Sequence, residues 1–208
     1  MRESSGKIDH AKPETLNRKE GIFSMRKALH LLGILDDVDI DWLATNGRVV
    51  PLSAGTVLIH QGKQIDSIYF LLEGELQVVV GAQEQLIATL LPGEIVGEIS
   101  FVDSHSPSAS VVATRSSQVL AISREAVSGK LARDQGFATR FYYAIARFLA
   151  DRLYVTVGRF GYGSARQDVD VDELDDAAMD QIDLATVRFD KLLKRLRGDY
   201  QTASAAVN

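Results

Sequence analysis

Two sets of residues in this 208-residue chain have the types and spacing that chemistry needs. In the first, Val96-Gly97-Glu98-Ile99-Ser100-Phe101 is followed, after a short polar stretch, by Pro107-Ser108-Ala109-Ser110-Val111. A glycine lets backbone approach a ligand closely, and a carboxylate accepts hydrogens from hydroxyl groups. Small residues opening a strand add N–H and O–H donors for an anion, so the stretch suggests a phosphate-binding cassette. The second set is a series of arginines. Arg140 and Arg147 are seven positions apart, as are Arg152, Arg159 and Arg166. Seven residues make two helical turns, so members of each set share a helix face wherever the helix persists. Asp168 and Asp170 follow Arg166, and an arginine beside carboxylates suits guanine: guanidinium to O6 and N7, acid to the N–H groups.

Other chemistry is absent or weakly supported. With no cysteine there can be no disulfide, zinc–thiolate site or thiol nucleophile. His10, His30, His60 and His105 lack metal-ligand spacing, and no His-x-Glu or Glu-x-x-His pattern occurs. Asp103-Ser104-His105-Ser106 gathers three triad residue types, but triads assemble from distant segments, so a polar loop is the simpler reading. Gly161-Tyr162-Gly163-Ser164 has no lysine after it and no strand–loop–helix context for a phosphate loop. The expectation is a protein that is not an enzyme and carries neither metal nor cofactor.

The elements that must position these residues change character along the chain. Residues 1–21 are polar and aperiodic, and read as a flexible tail. Phe23, Met25, Leu29 and Leu32 have helical spacing, with Gly33 placed to stop the helix. Asp37 or Asp39 can cap a second short helix through Ile40, Trp42 and Leu43, ended by Gly47, with Trp42 anchoring it to the barrel. That barrel is read from Arg48 to Ile122, where the runs are short and β-rich: Val49–Leu52, Val57–His60, Ile68–Leu72, Leu76–Val80, Leu86–Leu91, Val111–Thr114 and Val119–Ile122. Glycines separate them, and Glu73-Gly74-Glu75 and Gly81-Ala82 look like hairpin turns. The pattern predicts an antiparallel sandwich or barrel. A long amphipathic helix comes next, with Phe137, Phe141, Ile145, Phe148, Leu149 and Leu153 along one stripe. That stripe faces the core or a dimer seam, and Gly158, Gly161 and Gly163 are expected to break the helix. Residues 168–183 hold eight acids and no base, and suit a solvated linker or the start of a further helix. A last helix is predicted over Ala185–Leu196, its bases late as the helix dipole favours, with a frayed tail beyond it.

Residues Ile34 to Leu153 resemble the cyclic nucleotide-binding domain, as in catabolite-activator-type regulators and the regulatory subunit of cyclic-AMP-dependent kinase. The resemblance lies in Gly97, Glu98, Ile99 and Ser100, then Ser108, Ala109 and Ser110, with Gly55, Gly62 and Gly74-Glu75-Leu76 where that family turns its strands. It implies a mainly β fold with flanking α: an eight-stranded antiparallel jelly roll, short N-terminal helices, a long C-terminal dimerisation helix and one further helix. It also implies that those seven cassette residues bind the ligand, the glutamate through a ribose hydroxyl. The family's phosphate-gripping arginine falls on Pro107, which has neither charge nor N–H. No arginine lies between Lys63 and Arg115 to substitute for it. A charge-assisted bond contributes roughly 1.5–3 kcal/mol, so losing a bidentate one weakens binding by about two decades.

The whole is expected to be a cytoplasmic, non-catalytic receptor for a nucleotide second messenger. It divides into residues 1–21, a binding-domain-like unit at 22–160 that includes the long helix, and an acidic linker with a helix at 161–208. The favoured ligand is cyclic di-GMP at the interface of a homodimer, where Arg152, Arg159, Arg166, Asp168 and Asp170 would meet their two-fold copies. Otherwise these arginines are solvated or paired with acids such as Asp134 and Asp151. The alternatives are weak cyclic AMP or cyclic GMP binding in the cassette, or a ligand-independent protein-interaction module. The output is expected to be contact with another protein, such as a transcription regulator. Direct nucleic-acid binding is not expected from a net charge of −5 and a lone acidic-led helix after Leu153. Nor is a membrane, since no uncharged apolar run nears the roughly 18 residues a spanning helix needs.

Overall fold

A computed structural model describes residues 32–159 and 176–205. Eight strands form two four-stranded antiparallel sheets: β1 (Arg48–Leu52), β8 (Ser117–Ser123), β3 (Ser67–Glu73) and β6 (Ile95–Val96) in one, β2 (Val57–Ile59), β7 (Ser110–Ala113), β4 (Leu76–Val80) and β5 (Gln85–Leu90) in the other. Among the described residues, helices α1 (Asp37–Asn46), α2 (Glu98–Asp103), α3 (Arg124–Arg133), α4 (Gln135–Arg159) and α5 (Asp176–Ala205) accompany them. The expected jelly roll is thus present, with its helices before, within and after the strands.

The first sheet is buried on both faces, which explains why β3 reads Ile-Tyr-Phe-Leu-Leu without a polar interruption. Ile68, Phe70, Leu72, Leu120 and Ile122 point out toward the helices, while Leu71, Val119 and Val96 point in toward Leu76, Leu90 and Val111. Glu73-Gly74-Glu75 is not a hairpin: β3 and β4 belong to different sheets, and the segment crosses between them. At Gly74 φ is +97° and an added Cβ would collide with Ser117, so the crossing needs glycine. Gly81 does close the β4–β5 hairpin as expected.

The helices correct several boundaries. Asp36, rather than Asp37 or Asp39, caps α1, with Asp39 reciprocating as the other half of a capping box; Gly47 ends the helix as predicted. Gly33 lies within a helical turn at 32–34 instead of stopping it, and the helix read at 22–32 falls almost wholly outside the described residues, like the 1–21 tail. Trp42 meets Phe137 of α4, with ring centres 5.4 Å apart, so its ring fastens α1 to the long helix. Phe137, Phe141, Ile145 and Phe148 are buried and Leu149 half-buried, which puts the predicted stripe into the core except at Leu153, which is exposed. Gly158 does not break α4, which runs through it to Arg159; a mid-helix glycine costs only about 1 kcal/mol. Gly161, Gly163 and residues 160–175 lie outside the described residues. The last helix is far longer than 185–196: α5 takes in the end of the acidic run and most of the tail expected to fray. It packs back on the domain through Ala185, Leu192 and Leu196.

Candidate functional site

The cassette opens where β6 ends. Gly97 has φ +89°, and a Cβ there would stand 2.9 Å from Ile65 and 3.1 Å from the Ser67 carbonyl, so only glycine turns the chain this tightly into α2. The turn drives Glu98 inward to 1 % exposure, while Ile99 stays exposed and Ser100 is buried. Arg152, from the penultimate turns of α4, meets Glu98: its Nη1 donates to Oε1 at 2.9 Å. Nη2 donates to the Ile95 carbonyl at 3.3 Å, and the guanidinium lies 4.3 Å from the centre of the Phe148 ring. Burial pushes the Glu98 carboxyl above its usual range, and the Arg152 charge pulls against that without overcoming it.

A second arginine holds the same short helix. Arg124, at the start of α3, donates to the Ser100 carbonyl at 2.7 Å and stacks 5.2 Å from the Phe101 ring centre. Thus α2 is gripped at its first turn from α4 and at its third residue from α3. The far end of the cassette is tied as well. Ser110 Oγ accepts from the Gln61 N–H at 3.0 Å, and the Pro107 carbonyl accepts from the Gly62 N–H at 2.8 Å. Gln61 Oε1 in turn accepts from the Gly81 N–H, linking the cassette to the β4–β5 hairpin. Ser108 is exposed and Ala109 half-buried in the loop between.

The sequence-predicted residues therefore regroup. Glu98 belonged to the cassette and Arg152 to the arginine series, and the fold joins them across 54 positions. Arg159 is the last residue of α4; Arg166, Asp168 and Asp170 lie outside the described residues. Arg140 is held by Asp39 at 2.6 Å and Asp36 at 3.0 Å, pinning α1 to α4. Sequence reasoning found no cation for Glu98 because it looked along the strand segment. The usable signal was an arginine on the helix face that also carries Phe148. Among the described residues no cluster of His, Asp and Glu could hold a metal ion.

Residues 49–134 match the model of the cyclic nucleotide-binding domain family. The resemblance expected from the sequence is therefore present over the barrel. The cyclic AMP receptor protein of Thermus thermophilus is 32% identical over 93 residues, covering 43% of this chain and 42% of that protein. The Pycsar effector protein XpPycTIR of Xanthomonas perforans is 26% identical over 118 residues, 56% of this chain and 38% of that one. The chain thus spans about two fifths of the length of these curated relatives. Among solved structures, a cyclic nucleotide-binding domain from Methylobacillus flagellatus superposes with a TM-score of 0.58 at 22% identity, over 65% of this chain and 81% of that one. No helix among the described residues is long and apolar enough to cross a membrane.

Proposed function

We propose that the chain is a non-catalytic receptor for a nucleotide second messenger, sensed at the cassette and relayed by α4 to a partner protein. The observation that carries this reading is the Glu98–Arg152 pair, which ties the cassette to the long helix. Arg152 brings to the cassette the positive charge that Pro107 cannot supply. A cyclic nucleotide offers a phosphate anion and a ribose hydroxyl. It would replace one internal ion pair by two charge-assisted contacts, phosphate on Arg152 and hydroxyl on Glu98. Because Arg152 rides on α4, exchanging its partner biases the helix between two placements, and a ligand shifts that balance by its differential affinity. With Ser110 already engaged by Gln61, the affinity is expected to be modest.

A second reading places cyclic di-GMP on the two-fold axis of a homodimer. It is favoured by the outer face of α4, where Tyr142, Ala146, Ala150, Leu153 and Val157 are exposed at seam-like spacing. Leu153 is 63% exposed. Arg159 and Arg166 would meet their copies there.

Calorimetric titration with cyclic AMP, cyclic GMP, cyclic di-GMP and cyclic di-AMP separates these readings. The cassette reading expects one mononucleotide per chain, weakened at least tenfold by Arg152→Ala. One dinucleotide per two chains, lost on reversing Arg159 and Arg166, would support the seam instead. Silence from all four would overturn both and leave a ligand-independent interaction module.

A further inference from the structure

The C-terminal helix lies in a groove made by α1 and the outer face of the β1–β8–β3 sheet. Its apolar residues descend into the groove: Ala185, Leu192 and Leu196 are buried, and Phe189 and Leu193 half-buried. Its bases line one rim. Arg188 Nε donates to Asp37 at 3.1 Å, and its Nη1 reaches the carbonyls of Leu32 and Gly33, in the helical turn that precedes α1. Helix-end carbonyls lack intrahelical partners and attract a guanidinium. Lys191 Nζ lies 3.2 Å from Asp37 and 3.6 Å from Asp41, and Arg195 pairs with Asp41. On the opposite rim Arg197 donates to Glu73 at 2.8 Å. Bases at steps of three and four thus face acids four apart on α1, a register that specifies one orientation of the helix.

The fit is incomplete. Beside Leu193 and Leu196 remains a cavity of about 460 Å³ that is open to solvent, lined also by Val49, Pro51, Leu72, Glu73, Gln118 and Arg197. Here an acid-rimmed apolar groove accepts a basic amphipathic helix, as helix-in-groove recognition requires, yet its occupant leaves room. Sixteen residues, 160–175, separate α4 from α5 in the sequence.

We propose that this groove is a receptor for a basic amphipathic helix of a partner protein, and that α5 occupies it as an in-chain competitor. The partner helix repeats the pattern of 188–197, bases at i, i+3 and i+7 with apolar residues at i+4 and i+8. It carries a bulkier side chain where Leu193 or Leu196 stands, which enters the cavity. Because α5 belongs to the same chain it competes intramolecularly, so a partner must bind well or α5 must first be loosened.

The test uses the full chain and, as probe, a fluorescent peptide of residues 184–198. In the triple variant Arg188→Glu, Lys191→Glu, Arg195→Glu, the chain's own helix no longer matches the rim. The peptide should bind this variant at least tenfold more tightly than it binds the wild type, by fluorescence anisotropy. Adding Asp37→Lys and Asp41→Lys should abolish the gain, and a peptide with Leu193→Trp should bind the triple variant severalfold tighter. Hydrogen exchange reports release directly, as faster exchange across 184–198 with the barrel amides still protected. A triple variant that keeps this protection pattern yet binds the peptide no better than wild type would overturn the proposal. So would binding indifferent to Asp37 and Asp41, or α5 amides that exchange no faster in the triple variant.

Discussion

The two sets of charges that fasten helices in this protein are built differently. At α4, Asp39 and Glu98 are almost fully buried, and each meets an arginine whose outer edge stays partly wet. At α5, among the described residues, the acids that take bases keep much of their surface in water, from Asp41 at 36% exposure to Asp37 at 63%, although the Asp41 oxygen that faces Arg195 is covered. A buried carboxylate without its cation carries a desolvation penalty that nothing repays, so losing one partner costs far more than the pair contributes over an apolar replacement. An exposed pair contributes little, because water already solvates both ions. The α4 contacts therefore lock an arrangement, whereas the α5 contacts choose an orientation and leave it reversible.

The largest effect expected from this contrast is at Asp39. Arg140→Met should cost about 3–5 kcal/mol by urea unfolding, since it strands a carboxylate with no exposed surface. Burial works to raise that carboxyl, but hydrogen bonds from Arg140 and from the Asp36 N–H outweigh it and hold it below the ordinary 3.8. A depressed native value means that the stabilisation is complete above the unfolded value and lost as pH falls through the native one. The gap between wild type and variant should thus be full near pH 7 and close below about pH 4. A constant gap over that range would show that Arg140 acts by packing alone.

Glu98 is the intermediate case, and its sign is reversed. Its native carboxyl is raised, so the native state holds the proton longer than the unfolded chain does, and its ionisation costs stability as pH rises above the usual 4.5. Arg152 limits that cost. Arg152→Met should therefore destabilise by about 2–3 kcal/mol at pH 7.5, and by progressively less as pH falls toward the ordinary carboxylate range and Glu98 takes up its proton. Adding Glu98→Gln should recover most of the loss, because an amide replaces the unpaired charge. If the double variant is no more stable than Arg152→Met, the lost contact with Phe148 is the main effect rather than the buried charge.

These pairs also mark where sequence reading stops. Strands were legible because Val, Ile and Leu bursts between glycines report a local preference, whereas Gly97-Glu98 stood out as a glycine–carboxylate pair of the cassette and not as a turn into a helix. Two-residue β6 and six-residue α2 were not, since neither is long enough to show a period. Asp39 with Arg140 and Glu98 with Arg152 span 101 and 54 positions, and nothing in the spacing of either arginine distinguishes an intramolecular partner from a symmetry mate. The arginine series at steps of seven does not hold one role: Arg140 meets the first helix, Arg147 is exposed, Arg152 meets the cassette, and Arg166 lies outside the described residues. Similarly, glycine at 158 and small residues after 200 signalled local weakness that neither α4 nor α5 obeys.

The smallest effect should come from the α5 rim, and it sharpens the comparison most. Arg195→Glu removes one half-exposed pair with Asp41 and sets two acids together, for which about 0.2–1 kcal/mol is expected. The global unfolding midpoint should barely move, because the apolar contacts of Leu192 and Leu196 remain. Exchange of the α5 amides should nonetheless quicken several-fold, and raising wild-type salt from about 50 mM to about 500 mM should reproduce part of that change by screening the rim. Neither treatment should quicken exchange in α4, whose buried pairs salt does not reach. If α4 and α5 respond alike, they open as one cooperative unit and the distinction between a locked helix and a reversible one fails.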